Sequence, residues 1–326
     1  MAYSLGAPTA RYLQHLLILR IFTKPDGTLH QTSGAWVRSI LTIQGSNNGS
    51  YCVHAVGLDF GSLQPKRFTL LWLIFTFLYI THWIFGSTLD AIFPLRVNHW
   101  KWLGLFFFFF FSFFSFFLFL LNFLSCWLFD LSPSSRTHGK PLKDVLKECP
   151  LLNDNAGRDL SPRRMHELNK VLATTLPHPS TIYVACVAKS TVPLTFLGSS
   201  KSFLQLPSAS LSCSFPDSLI LLPLSLFLGL FGDLVHQTSG AAEAPFEPLY
   251  LTANDGMISV AGQRHPVLEP ALVEPFGSFD DISVNLTRGR WAHLIMPGDW
   301  SHFETMKTGQ KQQSFFEGLH LFLQSQ

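Results

Sequence analysis

From Leu105 to Leu121 the sequence reads LFFFFFFSFFSFFLFLL, and only Phe, Leu and Ser occur in it. It belongs to a longer block, 103–126, that is apolar on nearly every helical face. About twenty such residues at ~1.5 Å each cross a ~30 Å hydrocarbon core. Left in water, the same surface would seed aggregation. Trp100, Trp102 and Trp127 flank the block, and indole rings sit well at headgroup level. A second block, 68–86, reads FTLLWLIFTFLYITHWIFG, with no formal charge and with Lys66 and Arg67 directly ahead of it. It lacks the polar stripe that a core helix of that length carries. His82 lies near one end of the block, within reach of the interface.

Composition points the same way. Hydrophobic residues make up 47% of the 326 and charged residues 13%, about half the usual ~25%. The expected architecture is therefore a mainly α-helical membrane protein with two spans, a candidate third and no single compact globular core. Its parts would be an irregular region over 1–66, a transmembrane hairpin over 67–130 and a polar α/β-like segment over 131–217. A third span or re-entrant segment would follow at 218–235, then a β-like region over 236–326. Lys66 and Arg67 before the hairpin, with Arg136, Lys140 and Lys143 after it, outnumber Arg96 and Lys101 in the loop between. By the positive-inside rule this places the N-terminus and 131–217 in the cytoplasm. If 218–235 also crosses, the C-terminal region is lumenal and Asn285, in the sequon Asn285-Leu-Thr, becomes a glycosylation site.

Two features point instead to sequence that was never selected as protein. Phe, Leu, Ser and Pro can all be encoded by pyrimidine-only codons, and they dominate both the opening tract and 202–231. Evolved membrane helices mix in Ala, Val, Gly and Ile, because their packing depends on small residues, but 103–129 contain no Ala, Val or Ile and one glycine, Gly104. The hexapeptide HQTSGA also occurs twice, at His30–Ala35 and His236–Ala241, with diverging flanks. Repeat architectures need a recurring unit of ~20–50 residues, so a duplicated stretch of DNA explains this better. A translated intron-like or repeat-derived frame is thus the first alternative. The second is a soluble protein built only from the flanking segments, around 135–200 and 242–305.

Those segments carry ordinary protein signals. LSPRRMHELNKVLATTL (160–176) predicts a helix with Ser161 as N-cap, Pro162 in the first turn, and Met165, Leu168, Val171 and Leu172 on one face. STIYVACVAKS (180–190) predicts a buried strand, and PLKDVLKEC (141–149) a short helix. The acid-free first 25 residues, with Arg11, Arg20 and Lys24, share the composition of a mitochondrial presequence or an amphipathic helix.

Catalytic signatures are missing. G-x-x-x-x-G-K-[ST], G-x-G-x-x-G and G-x-S-x-G do not occur. HELNK (166–170) has Lys170 where a zinc helix needs its second His. NDNAG (153–157) lacks the closing Glu of a calcium loop. His293, His302 and Glu304 fit no metal spacing, and Asp280 and Asp281, near Glu269 and Glu274, read as a solvated loop. The five cysteines, Cys52, Cys126, Cys149, Cys186 and Cys213, form no paired spacing and read as free buried thiols. With 23 basic against 21 acidic residues and no dense basic run, nucleic acid is not an expected partner. The expected protein has no cofactor and no catalytic residues, and its partner is the lipid bilayer.

Overall fold

The computed structural model describes residues 1–66, 69, 156–194, 204–213, 217–239, 246–276 and 286–324. Both expected spans, the helix expected at 141–149, and Asp280, Asp281 and Asn285 lie outside these residues. Met1–Leu71 and Asn155–Gln326 form one compact unit.

At its centre is a parallel sheet of β1 (Ala2–Tyr3), β2 (Ser39–Ile43), β3 (Ile182–Val187), β7 (Trp291–Ile295) and β6 (Ala271–Phe276), in that spatial order. Between β3 and β6 in sequence, β4 (Thr191–Pro193) and β5 (Gln205–Pro207) form a separate antiparallel pair. β3 is the central strand, pairing Ile40 with Tyr183 on one side and Cys186 with Leu294 on the other. All six of its residues are buried. Alternation sends Ile182, Val184 and Cys186 to one face and Tyr183, Ala185 and Val187 to the other, and each face has its own core. A strand covered on both sides can be apolar throughout, so the run IYVACV is a strand and not a helix fragment. Cys52 and Cys186 are buried free thiols, and burial pushes them up to about 11 and about 12.

Among the described residues the α-helices are α1 (Gly6–Leu19), α2 (Pro162–Leu172), α3 (Ser218–Thr238), α4 (Pro248–Thr252), α5 (Val260–Gln263) and α6 (Gln310–Gln324), besides short helices at Cys52–Ala55, Ala156–Asp159 and Ala209–Cys213. α2 starts as its sequence predicts: Ser161 caps it by accepting from the Arg164 N–H, and Pro162 opens the first turn. Its inner face is Met165, Asn169 and Leu172, while Val171 is exposed. The polar Asn169 is buried because it accepts from Arg11 and donates to the Asn47 carbonyl. α6 lays Phe315 and Leu319 onto the Ile182–Val184–Cys186 face of the sheet.

A compact two-faced sheet overturns the expectation of a mainly α-helical membrane chain without a globular core. The segments 156–194 and 286–305 meet directly through β3 and β7, which is the arrangement the flanking-segment alternative requires. The C-terminal region also differs from expectation. PLYLT and VAGQ, expected to be β-like, are the short helices α4 and α5, because Pro248 starts one and Ser259 caps the other by accepting from the Gly262 N–H. The two copies of HQTSGA do not share a structure: the first runs through a loop into a 3-10 turn at Gly34–Trp36, while His236–Thr238 close α3.

α3 is the candidate third span. Among the described residues it is the one helix long and apolar enough to cross a membrane, with a mean hydropathy of 2.1. Here it packs against β5 and α4, burying Leu221, Leu228 and Val235. Two glycines permit the approach: a Cβ on Gly229 would lie 2.2 Å from the Gln205 carbonyl oxygen, and one on Gly232 would lie 2.4 Å from that of Leu251. Ala in place of Gly ordinarily stabilises a helix interior by about 1 kcal/mol. Gly229→Ala is expected instead to destabilise by about 1–3 kcal/mol, because the backbone opposite cannot give way. The denaturation midpoint measures this, and an unchanged or raised midpoint would mean that α3 does not pack there.

Candidate active site

Three parallel strands end at the same edge, and the residues that follow them meet. β1 runs into α1 through Ser4, whose φ of +50° lies in the left-handed region that non-glycine residues avoid. The turn is held on both sides. The Ser4 N–H donates to the Ile43 carbonyl at 3.2 Å, while the Ser4 carbonyl accepts from the N–H groups of Ala7 at 3.1 Å and Ser46 at 3.2 Å. The tight bend lifts the Ser4 hydroxyl clear of the strand end and keeps it half-exposed.

Facing it is His302, which follows β7 and is 2% exposed. The Ser4 Oγ lies 3.0 Å from His302 Nε2, and His302 Nδ1 lies 2.8 Å from Asp255 Oδ2. Asp255, fully buried, sits in the turn Asn254-Asp255-Gly256, just after α4. That turn is tied to the start of β4, since Ser190 N–H donates to the Asn254 carbonyl at 2.8 Å and Thr191 Oγ1 accepts from the Asn254 N–H at 3.2 Å. Asp255 Oδ1 accepts two backbone N–H bonds, from Met257 at 3.0 Å and Ile258 at 2.9 Å. The His302 N–H also donates to the Asp255 carbonyl, at 2.7 Å.

Gln44, the residue after β2, clamps the two loops together. Its Nε2 donates to Asp255 Oδ2 at 3.1 Å and to the Ser301 carbonyl at 3.0 Å, while its Oε1 accepts from Thr305 Oγ1 at 2.5 Å. Tyr3 adds a further tie, its hydroxyl donating to the His302 carbonyl. Burial, reinforced by the negative charges of Asp255 and Asp217, pushes that phenol well above its ordinary value, so it stays a donor.

An acid, an imidazole and a hydroxyl in line, with the hydroxyl on a strained strand-to-helix turn, can perform nucleophilic acyl transfer. None of the three was expected to be catalytic from the sequence. The chain order Ser4, Asp255, His302 is that of the G-x-S-x-G nucleophile elbow class. The motif escapes a pattern search because Ala2 stands at the first glycine position of Ala2-Tyr3-Ser4-Leu5-Gly6. The signal that could have found it was a Ser-x-Gly step directly ahead of a helix. Asp255 was visible only as the middle of a turn.

The residues weighed from sequence are dispersed. Among the histidine–acid group, only His302 belongs to the site. Glu304 accepts from Gln312 Nε2 at 3.2 Å and lies 4.0 Å from Lys307. Glu269 is buried with Arg11, which it pairs, and accepts from Trp291 Nε1 at 2.6 Å. Arg11, read as a basic residue of an amphipathic or targeting helix, is fully buried and ties α1 to α2 through Asn169 and to the segment ahead of β6 through Glu269. Asn48, which stands in the sequon Asn48-Gly49-Ser50, spends its amide inside the fold, donating to the Ala261 carbonyl at 3.0 Å and the His265 carbonyl at 2.9 Å.

His293 lies on β7 and faces His265, with His265 Nδ1 2.7 Å from His293 Nε2. Burial, with the positive Arg264 adding to it, holds His265 down to about 4, and burial, with His265 and then Arg264 adding to it, holds His293 down to about 3. Both are depressed below the unfolded value of ~6.5, so the unfolded chain takes up protons first as pH falls. Stability from this pair is complete above about pH 6.5 and is lost as pH drops through about 4 toward about 3. The urea midpoint should fall across that window in the parent protein. Its slope should flatten in His265→Gln/His293→Gln, and an equal slope in both would assign the loss elsewhere.

No protein-family model and no curated protein matches the sequence. Solved structures do match the fold. A Staphylococcus hyicus lipase superposes with a TM-score of 0.55 at 14% identity, covering 98% of this chain and 68% of the lipase. EstA from Clostridium botulinum superposes with a TM-score of 0.51 at 15% identity, covering 98% of this chain and 62% of EstA. The likeness is one of fold: a parallel sheet carrying helices, as in this lipase and EstA.

Proposed function

We propose that the chain is a serine hydrolase that cleaves carboxylic esters. The observation that carries the reading is the continuous hydrogen-bonded line from Ser4 Oγ through His302 to Asp255 Oδ2, at 3.0 and 2.8 Å. Ester rather than amide is favoured by the fold likeness to a lipase. Ser4 Oγ attacks the acyl carbon and passes its proton to His302 Nε2, and buried Asp255 stabilises the imidazolium that forms. The carbonyl oxygen, now an anion, turns toward the Leu5 N–H at the start of α1, where unsatisfied N–H groups and the helix dipole favour negative charge. His302 then returns the proton to the leaving alcohol. Water, deprotonated by the same nitrogen, releases the acid and restores Ser4.

A fluorophosphonate probe tests this directly, since it phosphonylates an activated serine with loss of fluoride. Labelling is expected on the tryptic peptide that contains Ser4, and to be abolished when His302 is replaced by Ala. Labelling spread over other serines, or none at all, would sink the reading.

A further inference from the structure

On the sheet face opposite α6, a cavity of about 270 Å³ opens beyond the ends of β3 and β7. Its wall is largely apolar, with Val187, Leu249, Val260 and Ile295 contributing. Ser4, Asp255 and His302 do not line it. Its charged residues are Lys189 and Arg264, and among the described lining residues there is no Asp or Glu. Arg264 is held at the wall by Tyr250, whose ring centroid lies 4.5 Å from the guanidinium carbon. Its charge helps hold His293, which also lines the cavity, and His265 in the neutral state. An apolar chamber with two cations and no acid among its described lining residues complements a molecule with an apolar body and one negative end. At roughly 30 Å³ per heavy atom, as for water in the liquid, the volume suits about nine or ten heavy atoms.

We propose that this cavity is a second ligand site, distinct from the catalytic one, that takes a straight-chain aliphatic carboxylate of about eight carbons with its head group at Arg264 and Lys189. The proposal stands independently of the hydrolase reading.

Calorimetric titration of the full-length Ser4→Ala chain with sodium butanoate, hexanoate, octanoate, decanoate and dodecanoate tests it. Kd should tighten about fourfold per added methylene up to octanoate, then level off or reverse once the chain outgrows the cavity. 1-Octanol should bind at least about tenfold more weakly than octanoate, and Arg264→Met should erase most of that difference. A diazirine-bearing octanoate should crosslink within 187–193 or 249–264, which locates the site even if the Arg264 variant fails to fold. In the parent protein, a phosphonate on Ser4 should leave the octanoate Kd within about twofold. Absence of saturable octanoate binding, or equal affinity for octanol, overturns the proposal. Loss of octanoate binding after Ser4 is phosphonylated also overturns it, by placing the carboxylate in the catalytic cleft, and leaves the hydrolase reading intact. If Ser4 cannot be phosphonylated, the hydrolase reading fails while the Ser4→Ala titrations and crosslinks still decide this one.

Discussion

Ser4→Ala is expected to lower kcat on a short-chain p-nitrophenyl ester by about 10⁴–10⁶-fold, with KM little changed. The size of the effect follows from what the hydroxyl does. Without Oγ no acyl-enzyme forms, and only the N–H groups near Leu5 and the shape of the cleft remain to assist water. Folding should survive, because the Ser4 contacts that hold the turn are made by its backbone N–H and carbonyl. The φ of +50° costs Ala about as much as Ser, so the thermal midpoint should stay within a few degrees of the parent. A variant that retains more than about a hundredth of the parent kcat would move the nucleophile elsewhere.

Asp255→Asn is expected to cost on the order of 10⁴-fold in kcat and, unlike Ser4→Ala, to destabilise the fold as well. The reason lies in the four donors around the carboxylate. Oδ2 accepts from His302 Nδ1 and Gln44 Nε2, while Oδ1 accepts from the N–H groups of Met257 and Ile258. An amide has only one acceptor oxygen. If its NH2 faces His302, the imidazole must present the wrong tautomer to Ser4. If the NH2 turns the other way, it meets two backbone donors. Either orientation leaves buried donors without acceptors, at about 1–3 kcal/mol. Paired measurements of kcat and urea midpoint check this. An active Asn variant, or one inactive at unchanged stability, would show that the donors are not arranged as described.

The central strand β3 was legible as a run of buried β-branched and apolar residues, and α2 through its Ser161 cap and Pro162. The sheet as a whole was not, because its strands are two to six residues long and weigh little beside the Phe-rich tract in any reading of composition. α3 shows the limit most clearly. Its hydropathy satisfies a lipid bilayer and a protein interior equally, and the choice falls to Gly229 and Gly232, whose meaning depends on backbone that arrives from β5 and α4.

The residues of the candidate site were each visible but unconnected. Ser4 opens the chain, Asp255 is a turn residue, and His302 was weighed only beside His293, which faces the other way into a pair with His265. By itself the sequence determined local matters: which short runs could be buried strands, where α2 begins, where the chain turns at Asn254–Gly256, and which chemistry each side chain can offer. The tertiary structure alone decided which of these side chains meet, because a proton relay needs heavy atoms within about 3 Å. In a parallel sheet that proximity is set by adjacent strand ends, which sequence separations of 251 residues from Ser4 to Asp255 and 47 from Asp255 to His302 do not reveal.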